Sequence, residues 1–411
     1  MKIDVMTKDK DTKTVVPPLR FPEFSENGEW TIVPLKKHAK LITEKAKNRN
    51  YIPLSVTSGV GLVSQMEKFG REIAGEQYKN YYVINKFDFA YNKSATTSYP
   101  EGYISMLKNF DRGAVPNSIF TCFSVDKNEI NPQYLDQLFQ DNFHGKWLRN
   151  YIEIGSRANG ALSIDSKILL NMLIPLPKLK EQLKIKDCLS CLDDLISAVA
   201  DKIETLKEYK KGLTQQLFPA EGKTTPAIRF PEFQNAGEWE ESTLGDICDM
   251  QAGKFVSASE ICDVKKDTMY PCYGGNGLRG YTHSFTHFGI YPLIGRQGAQ
   301  CGNITYAEGK FHATEHAVVV TLKKDIDIRW LYYQLIKLDL NQYATGQAQP
   351  GLSVDVIKKV TIRIPKNKNE QQLIACGLFS VDELISTEIA KLDQLKAHKK
   401  GLMQQLFPKL Q

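Results

Sequence analysis

Two short patterns in the sequence contain residues that can bind a metal or a nucleotide. His312 and His316 stand with Glu315 in the order H-x-x-E-H, which holds a metal only where both imidazoles share one face of a helix. The apolar run from 317 to 322 predicts a strand, which would turn the two rings apart. Residues 275–280 fit the G-x-G-x-x-G pattern, but β-branched and aromatic residues follow where a dinucleotide-binding loop requires a helix. We therefore expect neither a metal site nor a nucleotide site.

The cysteines and the apolar residues argue against other classes of protein. Cys188 and Cys191 have C-x-x-C spacing without a second pair, so packed thiols are expected there rather than zinc. The eight cysteines are scattered, as in a reduced cytoplasmic protein, and no apolar run approaches the roughly 20 residues that cross a bilayer. The sequence has neither the Asn/Asp-Pro-Pro-aromatic tetrapeptide of amino-methyltransferases nor a convincing cluster of nuclease carboxylates. The chain is predicted to be non-catalytic.

The charge of the chain is mild but unevenly distributed. The 411 residues have a net charge of +6, and 42% of them are hydrophobic, which is ordinary for a globular protein. Residues 31–178 hold 19 Lys and Arg against 13 Asp and Glu, so the surplus lies mainly in this block. Composition alone neither requires nor excludes a nucleic-acid partner.

The chain contains two copies of one frame. Arg-Phe-Pro-Glu-Phe at 20–24, with Gly-Glu-Trp shortly after it, returns 209 positions later at 229–233. Lys-Lys-Gly-Leu-x-Gln-Gln-Leu-Phe-Pro at 210–219 returns 189 positions later at 399–408. Because the two offsets differ, the material between the frames differs in length. A molecule with two copies of one frame has approximate two-fold symmetry, as duplex DNA does.

Two segments repeat apolar residues in alternating steps of four and three. This 3.5-residue period predicts a coiled-coil seam, with helices roughly 50 Å long that end at Pro219 and Pro408. The two stripes most simply pair with each other; the alternative is two unrelated helices, each buried on its own domain. The expected pairing residues are Ile185, Leu189, Leu192, Ile196, Val199, Ile203, Leu206, Ile374, Leu378, Val381, Ile385, Leu392 and Leu395.

The blocks outside these helices are predicted to be mixed domains of shared ancestry. In the first, a strand at 119–125 precedes a helix capped by Asn131; in the second, a strand at 317–322 precedes a helix at 328–338. The fold class is α+β: two globular α/β domains alternate with two long helices, which pair as an antiparallel coiled coil in a pseudo-two-fold internal repeat. The expected boundaries are a flexible polar tail at 1–17, a first domain at 18–178, a first helix at 179–219, a linker and second domain at 220–366, and a second helix at 367–411.

These features together resemble the specificity (S) subunit of type I restriction–modification enzymes. The resemblance rests on the doubled frame sequences, the heptad helices and two glycine-rich phrases at 273–281 and 295–302, and it covers nearly the whole chain after the tail. It implies two target-recognition domains, each reading one half of a split double-stranded DNA sequence. It also implies two modification (methyltransferase) subunits docked on the helices, and restriction/translocase subunits in a larger complex. S-adenosylmethionine, ATP and Mg²⁺ would be bound by those partners and not by this chain.

The candidate DNA contacts are loop residues whose side chains suit the edges of bases. Arg and Lys make paired hydrogen bonds with guanine, and Asn and Gln with adenine, whereas Tyr99 would pack on a sugar or base. Lysines such as Lys45, Lys47, Lys358 and Lys359 are expected to contact phosphates or solvent. The candidates are Asn92, Lys93, Tyr99, Arg112, Arg157 and Asn159 in the first domain, and Asn276, Arg279, Arg296, Gln297, Gln347 and Gln349 in the second.

Three hypotheses of function follow from the sequence. In the first, the chain reads an asymmetric split DNA target, and helices of fixed length hold the two readers about one turn, roughly 10 base pairs, apart. In the second, it is a coiled-coil scaffold that presents two protein-binding domains and has no role on DNA. In the third, it is an enzyme that uses the glycine-rich loop or the paired histidines.

Overall fold

In the computed structural model the chain divides into two compact units, and each contains both helices and strands. Unit 1 consists of residues 1–199 and 391–411, and unit 2 of residues 200–390. Each unit includes part of each of the two long helices. The boundaries between the compact units therefore differ from the domain boundaries predicted from the sequence. The predicted α+β class is confirmed. The structure describes residues 13–57, 59–152, 162–298, 300–346 and 350–409.

Unit 1 contains small sheets and short helices. Its strands are β1 (Thr14–Val15), β2 (Trp30–Pro34), β3 (Ala39–Leu41), β4 (Ile52–Thr57), β5 (Gly61–Ser64), β6 (Tyr82–Asn85), β7 (Phe89–Asn92), β8 (Tyr103–Met106), β9 (Arg112–Val115), β10 (Phe120–Val125) and β11 (Leu173–Leu176). They form sheets in the orders β1-β2-β11, β3-β10-β7-β8 and β5-β4-β9-β6. Its short helices are α1 (Gln65–Phe69), α2 (Pro132–Gln140), α3 (Phe143–Leu148) and α4 (Ser166–Leu170).

The start of α2 follows from local sequence. The Asn131 side chain accepts the backbone N–H of Tyr134, and Pro132 occupies the first turn, where it leaves no hydrogen bond unmade. Behind the helix the rings of Phe89 and Phe123 stack with centroids 5.1 Å apart. The predicted strand and capped helix at this place are therefore confirmed.

Unit 2 is organised around one larger sheet. Its strands are β12 (Glu240–Thr243), β13 (Cys248–Ala252), β14 (Tyr270–Gly274), β15 (Gly277–Thr282), β16 (His287–Gly295), β17 (Ile304–Ala313), β18 (Ala317–Leu322) and β19 (Thr361–Ile364). Their orders are β13-β18-β16-β17-β14-β15 and β12-β19. Its short helices are α6 (Leu244–Ile247), α7 (Ile328–Lys337) and α8 (Val354–Lys358). The strand predicted at 317–322 and the helix predicted at 328–338 are confirmed as β18 and α7.

The two heptad segments form the long helices α5 (Leu179–Leu217) and α9 (Lys368–Leu406). Each has 39 residues and is therefore about 58 Å long. In unit 2, Lys202 contacts Glu388, and Lys210 lies 2.6 Å from Asp382. The residue number falls along α9 as it rises along α5, so the helices run antiparallel.

Packing of the helix pair differs between its ends and its middle. Inside unit 1, Ile185 and Leu189 of α5 join Met403 and Leu406 of α9 in the core of that unit. Inside unit 2, Leu217 joins Ile374 and Leu378 in the same way. The helices thus pair with each other and also bury their ends on a domain, which combines the two predicted arrangements. The seam residues that are buried are Ile185, Leu189, Val199, Ile203, Ile374, Leu378, Val381 and Ile385, and those that are half-buried are Leu192, Ile196, Leu206, Leu392 and Leu395.

The doubled frame sequences make the same ion pair in both units. In unit 1, Arg20 binds the carboxylate of Glu181 through two nitrogens, at 2.7 and 2.8 Å. In unit 2, Arg229 binds Glu370 at the same two distances. Only about 1% of each glutamate side chain is exposed. A buried carboxylate requires a partner, so the glutamate near the N-terminus of each long helix needs the arginine of the repeated frame sequence.

A second repeated contact joins each frame segment to a helix C-terminus. The backbone N–H of Leu19 donates to the carbonyl of Gln405 in unit 1, and that of Ile228 donates to the carbonyl of Gln216 in unit 2, both at 3.0 Å. We call residues 18–30 and 227–239 the docking segments.

Two residues of the tail expected at 1–17 belong to a strand. Residues 14 and 15 form β1, which pairs with Trp30 and Thr31 of β2. The sequence Thr-Val-Val there is β-branched and supplies an edge strand. Residues 1–12, which make up most of that expected flexible tail, lie outside the described residues.

Candidate nucleic-acid interface

The glycine-rich residues of unit 2 let several loops meet closely. A Cβ at Gly295 would lie 1.9 Å from the carbonyl oxygen of Gly275. A Cβ at Gly275 would lie 3.2 Å from the oxygen of His316 and 3.3 Å from that of Gln297. The glycines are therefore explained by packing between the β14–β15 turn, the loop after β16 and the turn before β18.

These loops enclose a cavity of about 500 Å³. Among its lining residues are Asn276, Arg279 and Gln297, which the sequence analysis proposed separately and the fold brings together. All three are exposed. Arg279 has no carboxylate partner among the described residues, so its guanidinium donors remain available to a ligand. The site offers the side-chain types that read guanine and adenine.

The other candidates in unit 2 lie beside this cavity or outside the described residues. The backbone N–H of Arg296 donates to the carbonyl of His316, and the carbonyl of Arg296 accepts from Leu352, both at 2.9 Å. Gly351 forms β-bridges with Gln297 and with Thr345. Gln347 and Gln349 lie outside the described residues.

The candidates of unit 1 that the structure describes do not share one cavity. Asn92 uses its side-chain oxygen to accept the N–H of Ser94, whereas Lys93 lines a separate cleft of about 270 Å³. Tyr99 packs edge-on against Tyr103, with centroids 4.7 Å apart, in a third place. Arg157 and Asn159 lie outside the described residues.

Arg112 belongs to a cluster that the sequence analysis only partly anticipated. Its guanidinium lies 5.0 Å from the centre of the Tyr51 ring, and that of Arg49 lies 5.3 Å from the same centre. Glu44 contacts Nη2 of Arg49 at 2.7 Å and Nη2 of Arg112 at 3.5 Å. Lys45 and Lys47, expected at phosphates, lie in the same loop, which with Glu44 and Arg49 lines a surface cavity of about 730 Å³. The alternation of basic residues with a tyrosine at 45–51 was the signal for this cluster.

The motifs that suggested catalysis have structural explanations. His312 is at the end of β17, where its Nε2–H donates to the carbonyl of Lys254 and its Nδ1 accepts from the Ser284 hydroxyl. His316 lies in the turn before β18 and is half-exposed. The second and third glycines of the G-x-G-x-x-G pattern, Gly277 and Gly280, lie within strand β15, and no helix follows them there. Over the described residues, no group of three or more His, Cys, Asp or Glu could hold a metal ion. No described helix is long and apolar enough to cross a membrane.

Comparison with known proteins identifies the family. Residues 29–208 and 236–397 match the family described as "Type I restriction modification DNA specificity domain". The specificity subunit of the type I restriction enzyme EcoprrI of Escherichia coli is 32% identical over 286 residues, which are 68% of this chain and 69% of that protein. The MjaVIII specificity subunit of Methanocaldococcus jannaschii is 28% identical over 294 residues, 64% of this chain and 67% of its own.

Solved structures show the same fold. The type I restriction–modification S subunit of M. genitalium has a TM-score of 0.64 at 17% identity over 97% of this chain and 100% of that one. A chain from a structure on complex assembly and conformational transition of the type I R-M system has a TM-score of 0.50 at 16% identity, over 92% and 97%. The chain belongs to the specificity subunits of type I restriction–modification enzymes. It therefore confers DNA sequence specificity and is not itself catalytic, and the scaffold and enzyme hypotheses are not favoured.

Proposed function

We propose that each unit reads one half of a bipartite, asymmetric DNA target, and that the paired helices set the unread spacer and dock two methyltransferase subunits. The observation that carries this proposal is the doubled frame around dissimilar recognition surfaces. Arg20–Glu181 and Arg229–Glu370 are the same contact made twice. The loops that each frame holds are different, so the two half-sites differ as well.

The helices support the docking of two copies of one partner. Leu195 in α5 and Leu384 in α9 occupy equivalent positions, 189 residues apart, and are 42% and 54% exposed. Exposed leucines on long helices are suited to burial by another protein. Because each copy of the frame presents one, two identical subunits can bind in the same manner.

The remaining partners belong to the same proposal. Restriction/translocase subunits would join the larger complex, and S-adenosylmethionine, ATP and Mg²⁺ would be bound by the partner subunits. The complex would work in the cytoplasm. The cysteines support this location, since all eight are free thiols.

Block exchange tests the division of labour. The chain is expressed with its methyltransferase subunits, and methylated positions are mapped across a genome that lacks other methyltransferases. Replacing residues 240–366 by the matching block of a relative should change one half of the methylated motif and keep the other. A simultaneous change in both halves would contradict the two-reader model.

Helix length tests the spacer. Removing one heptad from both α5 and α9 shortens each helix by about 10 Å. The two half-sites should be retained while the spacer between them becomes shorter. An unchanged spacer in a complex that still assembles would refute the role of the helices as a ruler.

A further inference from the structure

The Arg112 cluster of unit 1 has the features of a base reader whose orientation is fixed in advance. We infer that Arg112 reads a guanine in the half-target of unit 1, and that Glu44, Arg49 and Tyr51 are positioning residues that hold its guanidinium for this contact. The inference rests on the proposed function, because it names the base that this unit recognises.

The backbone under Arg112 is held from both sides. Arg112 is the first residue of β9, which lies between β4 and β6 in its sheet. It pairs with Asn85 of β6, and the next residue, Gly113, pairs with Ile52 of β4. A side chain on an inner strand is presented more accurately than one on a free loop.

The guanidinium of Arg112 is oriented by a ring and a carboxylate. It lies over Tyr51, and its Nη2 is 3.5 Å from each of the two oxygens of Glu44. Its side chain is 42% exposed, so part of it is accessible to a ligand. Two parallel N–H donors are what the O6 and N7 atoms of guanine accept in the major groove.

Glu44 is fixed in turn by the loop that follows it. Arg49 binds Glu44 at 2.7 Å, and its Nη2 also donates to the backbone carbonyl of Lys45 at 2.9 Å. The Tyr78 hydroxyl accepts the N–H of Tyr51 at 2.5 Å and lies 3.0 Å from the carbonyl of Arg49. A chain of hydrogen bonds therefore connects the loop backbone to Arg49, Glu44 and finally Arg112.

The carboxylate also distinguishes a base from a phosphate. Glu44 partly neutralises Arg112, so a phosphate gains less there than at a cation without a carboxylate neighbour, whereas a guanine edge presents acceptors without a net charge and loses less. Lys45 and Lys47 lie in the same loop. As compact positive charges, they are suited to contacts with the phosphates of the DNA backbone. The cluster thus separates a base-reading arginine from phosphate-contacting lysines.

The experiment uses the full complex with its methyltransferase subunits and a duplex that carries its mapped motif. The half read by unit 1 is assigned by exchanging residues 31–178 for the block of a relative. Each guanine in that half is then replaced by 7-deazaguanine, which lacks the N7 acceptor. At one position the replacement should weaken wild-type binding, and it should have no effect on the Arg112→Ala complex. Loss of the guanine contact in Arg112→Ala should reduce discrimination at that position by about 5- to 150-fold.

Two further variants separate positioning from contact. Glu44→Gln should keep the preferred base but reduce its discrimination, and should make the salt dependence of non-specific binding steeper, because phosphates can then approach Arg112. Arg71→Ala is the matched control for Arg112→Ala, since Arg71 is an exposed arginine of the same unit with no ring or carboxylate partner among the described residues. It should leave the motif unchanged.

The outcomes separate this inference from the proposed function. If the wild-type complex has no sequence preference that depends on this chain, the proposed function itself fails. If the preference exists but the unit 1 half contains no guanine on either strand, or 7-deazaguanine weakens wild-type and Arg112→Ala complexes equally, only the guanine assignment is overturned. An Arg112→Ala complex that binds more weakly but discriminates as well as wild type at every guanine would likewise overturn it, since loss of a phosphate contact weakens binding to all sequences alike.

Discussion

The buried ion pair of unit 2 gives a direct test of how the frame is held together. Arg229→Met keeps the hydrocarbon stem but removes both bonds to Glu370 and the donor to the carbonyl of Gly237. Among the described residues, Glu370 would then keep only the indole N–H of Trp239, at 3.3 Å. Breaking one side of a buried ion pair costs about 3–5 kcal/mol, because the remaining charge lacks its partner. We expect a loss of this size in the free energy of unfolding of unit 2.

Urea denaturation combined with hydrogen exchange measures the loss and locates it. Protection should fall by at least about 100-fold in peptides of unit 2, while unit 1 keeps its protection. The Arg229→Met/Glu370→Gln double variant should be more stable than the sum of the single changes implies, since no unpaired charge remains. Lys368→Met is the control: it breaks an ion pair with Asp325 whose side chains are 41% and 85% exposed, and should cost less than about 1 kcal/mol.

The reasoning is refuted if Arg229→Met costs no more than Lys368→Met. It is also refuted if protection falls equally in both units, because the ion pair would then not act within unit 2 alone.

Three other perturbations have defined outcomes. Ile203 lies in the buried seam, and Ile203→Ala should lower the free energy of unfolding by about 2–5 kcal/mol in urea denaturation. Leu195 is exposed, so Leu195→Ala should leave this free energy nearly unchanged and weaken binding of the methyltransferase subunit. Equal effects of the two variants on stability would contradict the assigned helix faces. Burial lowers the pKa of His144 from 6.5 to about 4, so the folded state resists protonation of this side chain. The free energy of unfolding of unit 1 should therefore fall by up to about 3 kcal/mol as the pH falls from about 6.5 to 4. His144→Phe should remove this pH dependence of the unfolding midpoint. Gly212→Ala should raise the unfolding free energy by about 1 kcal/mol, because a Cβ there meets nothing within 4 Å and the residue lies inside α5; a destabilised variant would show that the last turn of α5 needs glycine for another reason.

The sequence predicted the elements whose causes are local. Heptad spacing and the two prolines define α5 and α9, and the Asn131-Pro132 pair defines the start of α2. These signals act over a few residues, and the structure agrees with them to within a residue or two at most ends. The strand within the expected tail could not be predicted, because strand formation by Thr14 and Val15 depends on a partner, β2, that starts at residue 30.

The recognition surfaces could be predicted only in part, because their members meet through distant pairing. Asn276 and Gln297 share a cavity since the β14–β15 turn packs against the loop after β16, a contact that residue type does not reveal. Glu44 and Arg112 are 68 positions apart and meet through the strand order β4-β9-β6. Residue type therefore suggested Arg112, while the carboxylate and the ring that orient it required the sheet.

The docking segments have a consequence for chain connectivity. Ile228 bonds to Gln216, which precedes it by 12 residues, whereas Leu19 makes the same bond to Gln405, far away along the chain. A docking segment therefore makes the same contact with a helix C-terminus whether or not the chain runs directly from that helix into the segment. A circularly permuted gene, with a short linker from residue 409 to residue 13 and new termini between 219 and 227, should yield a protein with the same core and the same methylated motif. The order in which the ribosome synthesises the two halves should therefore not affect the folded structure.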